Sequence, residues 1–190
     1  ERFYTIETLL NNKDLAQAVI WTAIIRETLI FYFINRLLPL RLDGIADKDK
    51  EKGVYRLNEQ KINSNYPDLK EFLEKKWQNR LTKINLDFNR ELNQAVAYLI
   101  MIYAGNNFIE DKKLWNNIKS NLDGLEEVVK IRNELAHTIA PPKYDSKWQK
   151  HVKNMLFFTA KLFGIEAKLT TNPYKELEKI LLDKLEILFK

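Results

Sequence analysis

With 190 residues, 45% of them hydrophobic and 12% aromatic, the chain has the size of one domain and can bury a sizeable core, which excludes disorder as its global state. Five glycines and five prolines are too few turn-formers for a sandwich or barrel of many short strands. No cysteine is present, which excludes disulfides, thiolate metal sites and cysteine nucleophiles; two histidines leave little for imidazole-based metal sites, and a formal charge of +5 permits nucleic acid without requiring it.

The chain begins at Glu1 rather than Met and reads as a piece of a longer protein lacking its N-terminal part. It carries no basic segment followed by a short apolar run, so no secretory signal is expected, and cysteine-free composition suits the cytoplasm. Residues 13–38 read as one long helix. Ala16, Ile20, Ala23, Ile24, Ile30, Phe31, Ile34 and Leu38 recur at steps mostly of three or four, and Pro39 pushes its predecessor out of the helical region. Arg26 and Glu27 divide this stretch into apolar halves, each short of the roughly 20 residues that span a bilayer. A buried amphipathic helix is expected, not a membrane span.

Residues 43–67 read as the least structured part, rich in Asp, Lys, Asn and Glu and holding Gly44 and Gly53. Within them DKDKEK, residues 47–52, reads as a solvated loop whose charges nearly cancel. Asp68 is placed as the N-cap of a helix to about Thr82, with Glu71 three residues on as in a capping box. The next helix starts at Asn85 or Asp87 and runs to Ala104, where Gly105 and Asn106 supply a left-handed stop. A shorter helix follows over 110–121. Asp123 then caps another, which runs toward Ile139 and is closed by Pro141 and Pro142. Residues 145–163 make an amphipathic helix with Trp148, Val152, Met155, Leu156, Thr159 and Phe163 on one face and Gly164 as its stop. Residues 165–170 read as a short strand, and Asn172-Pro173 opens a last helix. There is no repeat of fixed period. The whole reads as an all-α bundle of five to seven helices forming a single domain over 1–190.

The five glycines are isolated from one another, so no phosphate-binding loop is present, and Ser64, Ser120 and Ser146 lack the glycine neighbours of a nucleophile elbow. Glu126 and Glu127 read as ordinary first-turn acids. What remains is residues 130–142, KIRNELAHTIAPP. Asn133 and His137 stand four apart, hence on one helix face, with Arg132 about 100° round from Asn133. A permanently charged, forked donor beside an imidazole suits phosphodiester chemistry. From 130 to 153 six basic residues face two acids, Glu134 and Asp145, so this window holds +4 of the chain's +5. Lys130, Lys143, Lys147 and Lys150 are the candidate nucleic-acid-binding residues. His151 reads as a residue of a solvated face, and Trp148, Phe157 and Phe158 as core rather than a base-stacking platform.

The run Arg132-Asn133-Glu134-Leu135-Ala136-His137 resembles the HEPN ribonuclease signature: an arginine, four to six residues, then a histidine, with a polar residue commonly after the arginine. Here the gap is four and the polar residue is Asn133. The resemblance covers the motif helix and, elsewhere, rests on helix count. It implies a metal-independent endoribonuclease without cofactor, acting on single-stranded RNA as a homodimer whose two motif helices build one composite site. In that chemistry the ribose 2′-hydroxyl attacks the adjacent phosphate. His137 would act in proton transfer, Arg132 would stabilise charge on the phosphorane and Asn133 would orient the histidine or donate to a phosphate oxygen. The setting it most resembles is the C-terminal effector domain of CRISPR-associated type III accessory ribonucleases, which serve antiviral defence behind a nucleotide-sensing CARF domain. The alternative setting is the HEPN toxin of a toxin–antitoxin pair. Those toxins usually have tyrosine two residues after the histidine, where Ile139 stands here. The rival from another class is a non-catalytic helical module for dimerisation or nucleotide binding.

Overall fold

A computed structural model describes residues 2–80, 88, 91–135, 137 and 143–164. The mostly helical architecture follows the sequence. In chain order come α1 (Arg2–Asn11), α2 (Leu15–Leu37), a 3-10 turn (Leu42–Gly44), β1 (Ala46–Lys48), β2 (Tyr55–Leu57), α3 (Glu59–Asn65), α4 (Pro67–Arg80), α5 (Gln94–Phe108), α6 (Lys112–Asp123), α7 (Glu126–Leu135) and α8 (Ser146–Phe163). The only sheet among the described residues is the antiparallel pair β1–β2. The predicted strand at 165–170 and the helix after Pro173 lie outside the described residues.

Two compact units emerge: one holds the described residues of Glu1–Arg26 and Asn116–Lys190, the other Glu27–Trp115. In the Glu27–Trp115 unit the stretch expected to be least structured is ordered. Ala46 pairs with Leu57 and Lys48 with Tyr55. Asp49 closes the turn between the strands, its carboxylate accepting from the backbone N–H groups of Glu51 and Lys52, both at 3.1 Å, and Gly53 takes the left-handed conformation the turn requires (φ 68°). Ile45, Ala46, Leu57 and Ile62 are buried while the charged residues stay outside. Asp47 pairs with Lys61 at 2.7 Å, and hydrogen bonds from Lys61 and Asn58 hold its carboxyl below the ordinary range. Asn58 caps α3, accepting from Lys61 N–H at 3.0 Å.

Helix α4 opens with Pro67 at its first position, so Asp68 lies inside the first turn and is not the cap. Helix α5 begins at Gln94, capped by Asn93, and does not stop at Gly105 but continues to Phe108. Gly105 serves close approach instead of a left-handed turn: a Cβ there would lie 2.2 Å from Trp115 Cζ2. Trp115 donates its indole N–H to Asn106 Oδ1 at 2.9 Å and meets Phe33 edge-on at 5.9 Å.

In the other unit, Ile6, Ala18, Val19, Ile118, Leu122, Leu125, Val128, Trp148, Val152 and Met155 are buried. Asp14 starts α2, accepting from Gln17 N–H at 3.1 Å. By length and composition alone α2 could cross a membrane, a test that buried core helices also pass. Its central Arg26 is only 5% exposed, and the guanidinium donates through Nε to the Leu122 carbonyl near the end of α6 at 3.0 Å. The same carbonyl also accepts from the backbone N–H of Leu125 at 3.2 Å, so Arg26 is a second donor to it at the end of α6.

Candidate functional site

Helix α7 carries Arg132 and Asn133 of the Arg–His signature. Its first turn holds Glu126 and Glu127, which favour the positive end of the helix dipole. Leu125 and Val128 are buried and fix which side faces the core. Lys130, Asn133 and Glu134 are therefore exposed, and Arg132 is half-buried. The Arg132 fork closes on its neighbour: Nη2 and Nε both donate to Asn133 Oδ1, at 3.0 and 3.3 Å. This chelation spends the Asn133 carbonyl on Arg132 and leaves its amide N–H₂ as a donor at an exposed helix end.

Helix α7 ends at Leu135, short of the predicted run toward Ile139. His137 sits in the turn beyond, its backbone N–H donating to the Glu134 carbonyl at 2.8 Å, and its side chain is exposed. Ala136, Ile139, Pro141 and Pro142 lie outside the described residues. The structure thus joins Arg132 to Asn133 directly and carries His137 about one turn further on.

The four candidate RNA-binding lysines are all exposed: Lys130 on α7, Lys143 ahead of α8, and Lys147 and Lys150 on α8. Asp145, read as the first residue of this helix, caps α8 instead, accepting from Lys147 N–H at 2.8 Å, and Gly164 closes it in the left-handed conformation as the sequence predicts.

Two readings change. His151 does not belong to a solvated face. It is half-buried, with Nδ1 3.0 Å from Asn121 Oδ1. Asn121 Nδ2 donates to the Asn117 carbonyl at 2.8 Å, which leaves Oδ1 to accept from His151. The imidazole also lies over Gly124, where a Cβ would come 2.6 Å from Nε2. With the Arg26 bond to Leu122, this clamps the α6–α7 turn from which the motif helix starts. A glycine between two helices was the only trace of the clamp in the sequence. The second change concerns the aromatics of α8. Trp148 is core, 4% exposed and edge-on to Tyr144 at 5.3 Å, but Phe157 is 52% exposed and meets Phe158 edge-to-face.

Tyr144 packs nearby, its hydroxyl 3.3 Å from Thr22 Oγ1. Burial pushes its phenol up, and the Thr22 hydrogen bond partly opposes this. Among the described residues no three His, Asp or Glu side chains gather into a group able to hold a metal.

A family model of the Cas_Csm6 HEPN domain matches residues 1–181. The chain belongs to this family. It is a HEPN domain of the CRISPR-associated Csm6-type ribonucleases, and the likeness first read in six residues extends over nearly the whole chain. No curated protein and no solved structure matches this HEPN domain.

Proposed function

We propose that this HEPN domain is a metal-independent endoribonuclease that cleaves single-stranded RNA at a composite site formed by two copies of the chain, as the effector of a CRISPR defence protein with a nucleotide-sensing domain ahead of it. The observation that carries the reading is the Arg132–Asn133 chelate at an exposed helix end, with the exposed His137 one turn beyond, in a chain of the Csm6 HEPN family.

The reaction begins with the ribose 2′-oxygen attacking the adjacent phosphorus as its proton passes to a base. The P–O5′ bond breaks, leaving a 2′,3′-cyclic phosphate and a 5′-hydroxyl that takes up a proton. Arg132 stabilises the charge that develops on the phosphorane, with a planar fork already oriented by Asn133. Asn133 donates its amide to a phosphate oxygen, and His137 moves the proton. One imidazole cannot accept and donate in the same displacement, so a second copy supplies its partner, and a closed two-fold dimer is the simplest assembly that does so.

Labelled single-stranded RNA incubated in EDTA tests the reading. The parent is expected to cleave it, leaving cyclic-phosphate ends. His137→Ala should lose roughly 10²- to 10⁴-fold in rate while staying folded and dimeric. A folded His137→Ala as active as the parent, or cleavage that requires added metal, overturns it.

A further inference from the structure

Among the described helices the outer face of α8 combines lysines and an exposed aromatic ring without an acid. Its 18 residues include Lys147, Lys150, Lys153 and Lys161 and not one acid. The inward face is fixed by Trp148, Val152, Met155 and Thr159, all buried. At 100° per residue Lys150, Phe157 and Lys161 fall within about 40° of one another on the opposite side, and Lys147 and Lys153 flank Lys150 at about 60° on either hand. All four lysines are exposed, and Phe157 is 52% exposed. Along the axis Phe157 stands about 10 Å beyond Lys150 and about 6 Å before Lys161. Its ring is braced edge-to-face by Phe158 at 5.6 Å, which orients it without covering it.

A single exposed phenylalanine needs no explanation. A braced aromatic ring with cations a turn or two away on both sides, on a helix without acids, does. Single-stranded nucleic acid offers the matching chemistry: a flat base to stack on the ring and phosphates for the lysines. A second copy fits less well, because a two-fold pairing of this face would set lysines against lysines.

We infer that the outer face of α8 is a track for single-stranded RNA, with Phe157 as a base-stacking platform between Lys150 and Lys161. This rests on the reading of the chain as an RNA-cleaving domain and extends the substrate path from Lys143 and Lys147 along α8, in the same unit as Arg132 and His137.

The test uses the 190-residue chain and two fluorescein-labelled probes read by anisotropy. One is a short 2′-O-methyl oligouridine, which lacks the attacking hydroxyl and cannot be cut; the other has the same length and an abasic backbone. Phe157→Ala should bind the oligouridine roughly 5- to 100-fold more weakly and the abasic probe as the parent does. Phe157→Tyr should restore binding. Lys150→Gln with Lys161→Gln should weaken both probes and flatten the salt dependence by about 0.7 for each lost phosphate contact. Phe157→Ala binding both probes like the parent overturns the track, as does a Phe157→Ala that sediments as monomer where the parent is dimer, which marks the face as a contact between copies. Cleavage of unmodified RNA in EDTA is scored alongside. A parent that cleaves, with Phe157→Ala unaltered in binding, defeats the track alone. A parent that neither cleaves nor binds RNA defeats the catalytic reading and the track with it.

Discussion

Thr159 on α8 is 5% exposed, and its hydroxyl has no hydrogen-bond partner among the described residues. A buried hydroxyl that gives up water for nothing is a net cost. Thr159→Val keeps the branched shape and should raise stability by about 1 kcal/mol, read as a higher denaturant midpoint at unchanged slope. A lower midpoint would mean the hydroxyl is bonded after all. Gly105 gives the opposite sign. Alanine gains about 1 kcal/mol of helix propensity over glycine, but its Cβ would overlap the Trp115 ring at 2.2 Å. Overpacking costs about 1 to 3 kcal/mol, so Gly105→Ala should lower stability or at best leave it level, and a clear gain would show that the ring moves aside freely. This residue also shows what single-residue reading misses. A Gly-Asn pair after an apolar helix is an ordinary stop signal, and nothing local announces an indole ten positions on. His151 was misplaced for the same reason, its partners Asn121 and Gly124 lying about thirty residues away. The Arg132–His137 motif could be read because it is a short run of six consecutive residues.

Between residue and fold stand the elements, and the α6–α7 turn is the one on which the motif helix depends. Gly124→Ala drives a methyl into the His151 ring and should destabilise the chain and slow RNA cleavage together. Adding His151→Ala removes the ring and should recover part of the stability, so the two changes couple by about 0.5 kcal/mol or more in a double-mutant cycle. Strict additivity would show that the turn relaxes independently of His151. At the start of α8, Tyr144 sets an alkaline limit. Its folded phenol lies above the ordinary value. Its contribution is therefore fully present below about pH 10 and is lost as pH rises through the folded value. Tyr144→Phe should flatten thermal stability above about pH 10, leaving whatever part buried Tyr103 supplies; an unchanged alkaline slope would clear Tyr144 of any part in it. In helix α8 the setting of His151 and the exposure of Phe157 escaped the sequence, but the apolar periodicity and the glycine stop were legible. Residues 43–67 were not. Strands of three residues are too short to show a period of two, and so few buried apolar residues, Ile45, Leu57 and Ile62 among them, are hidden in a charged run.

For the molecule as a whole, RNA affinity should fall steeply as salt rises, because the +4 window from 130 to 153 dominates the chain's charge. A salt-independent dissociation constant would remove the electrostatic account. Light scattering at micromolar protein should report a dimer, and a fully active monomer would contradict the composite site. The central guanidinium of α2 has a consequence before the chain has folded at all. A 23-residue apolar segment emerging from the ribosome is a candidate for membrane insertion, and its length and composition pass that test. Arg26 stands at its midpoint, where an arginine opposes insertion by about 2.5 to 3.5 kcal/mol. The same residue that later donates to the Leu122 carbonyl would thus bias the nascent helix away from the lipid. In an insertion reporter carrying residues 15–37, Arg26→Leu should shift the segment markedly toward the bilayer. The folded protein bearing that change would lose its bond to α6, so one codon governs both where the helix goes first and what it holds afterwards.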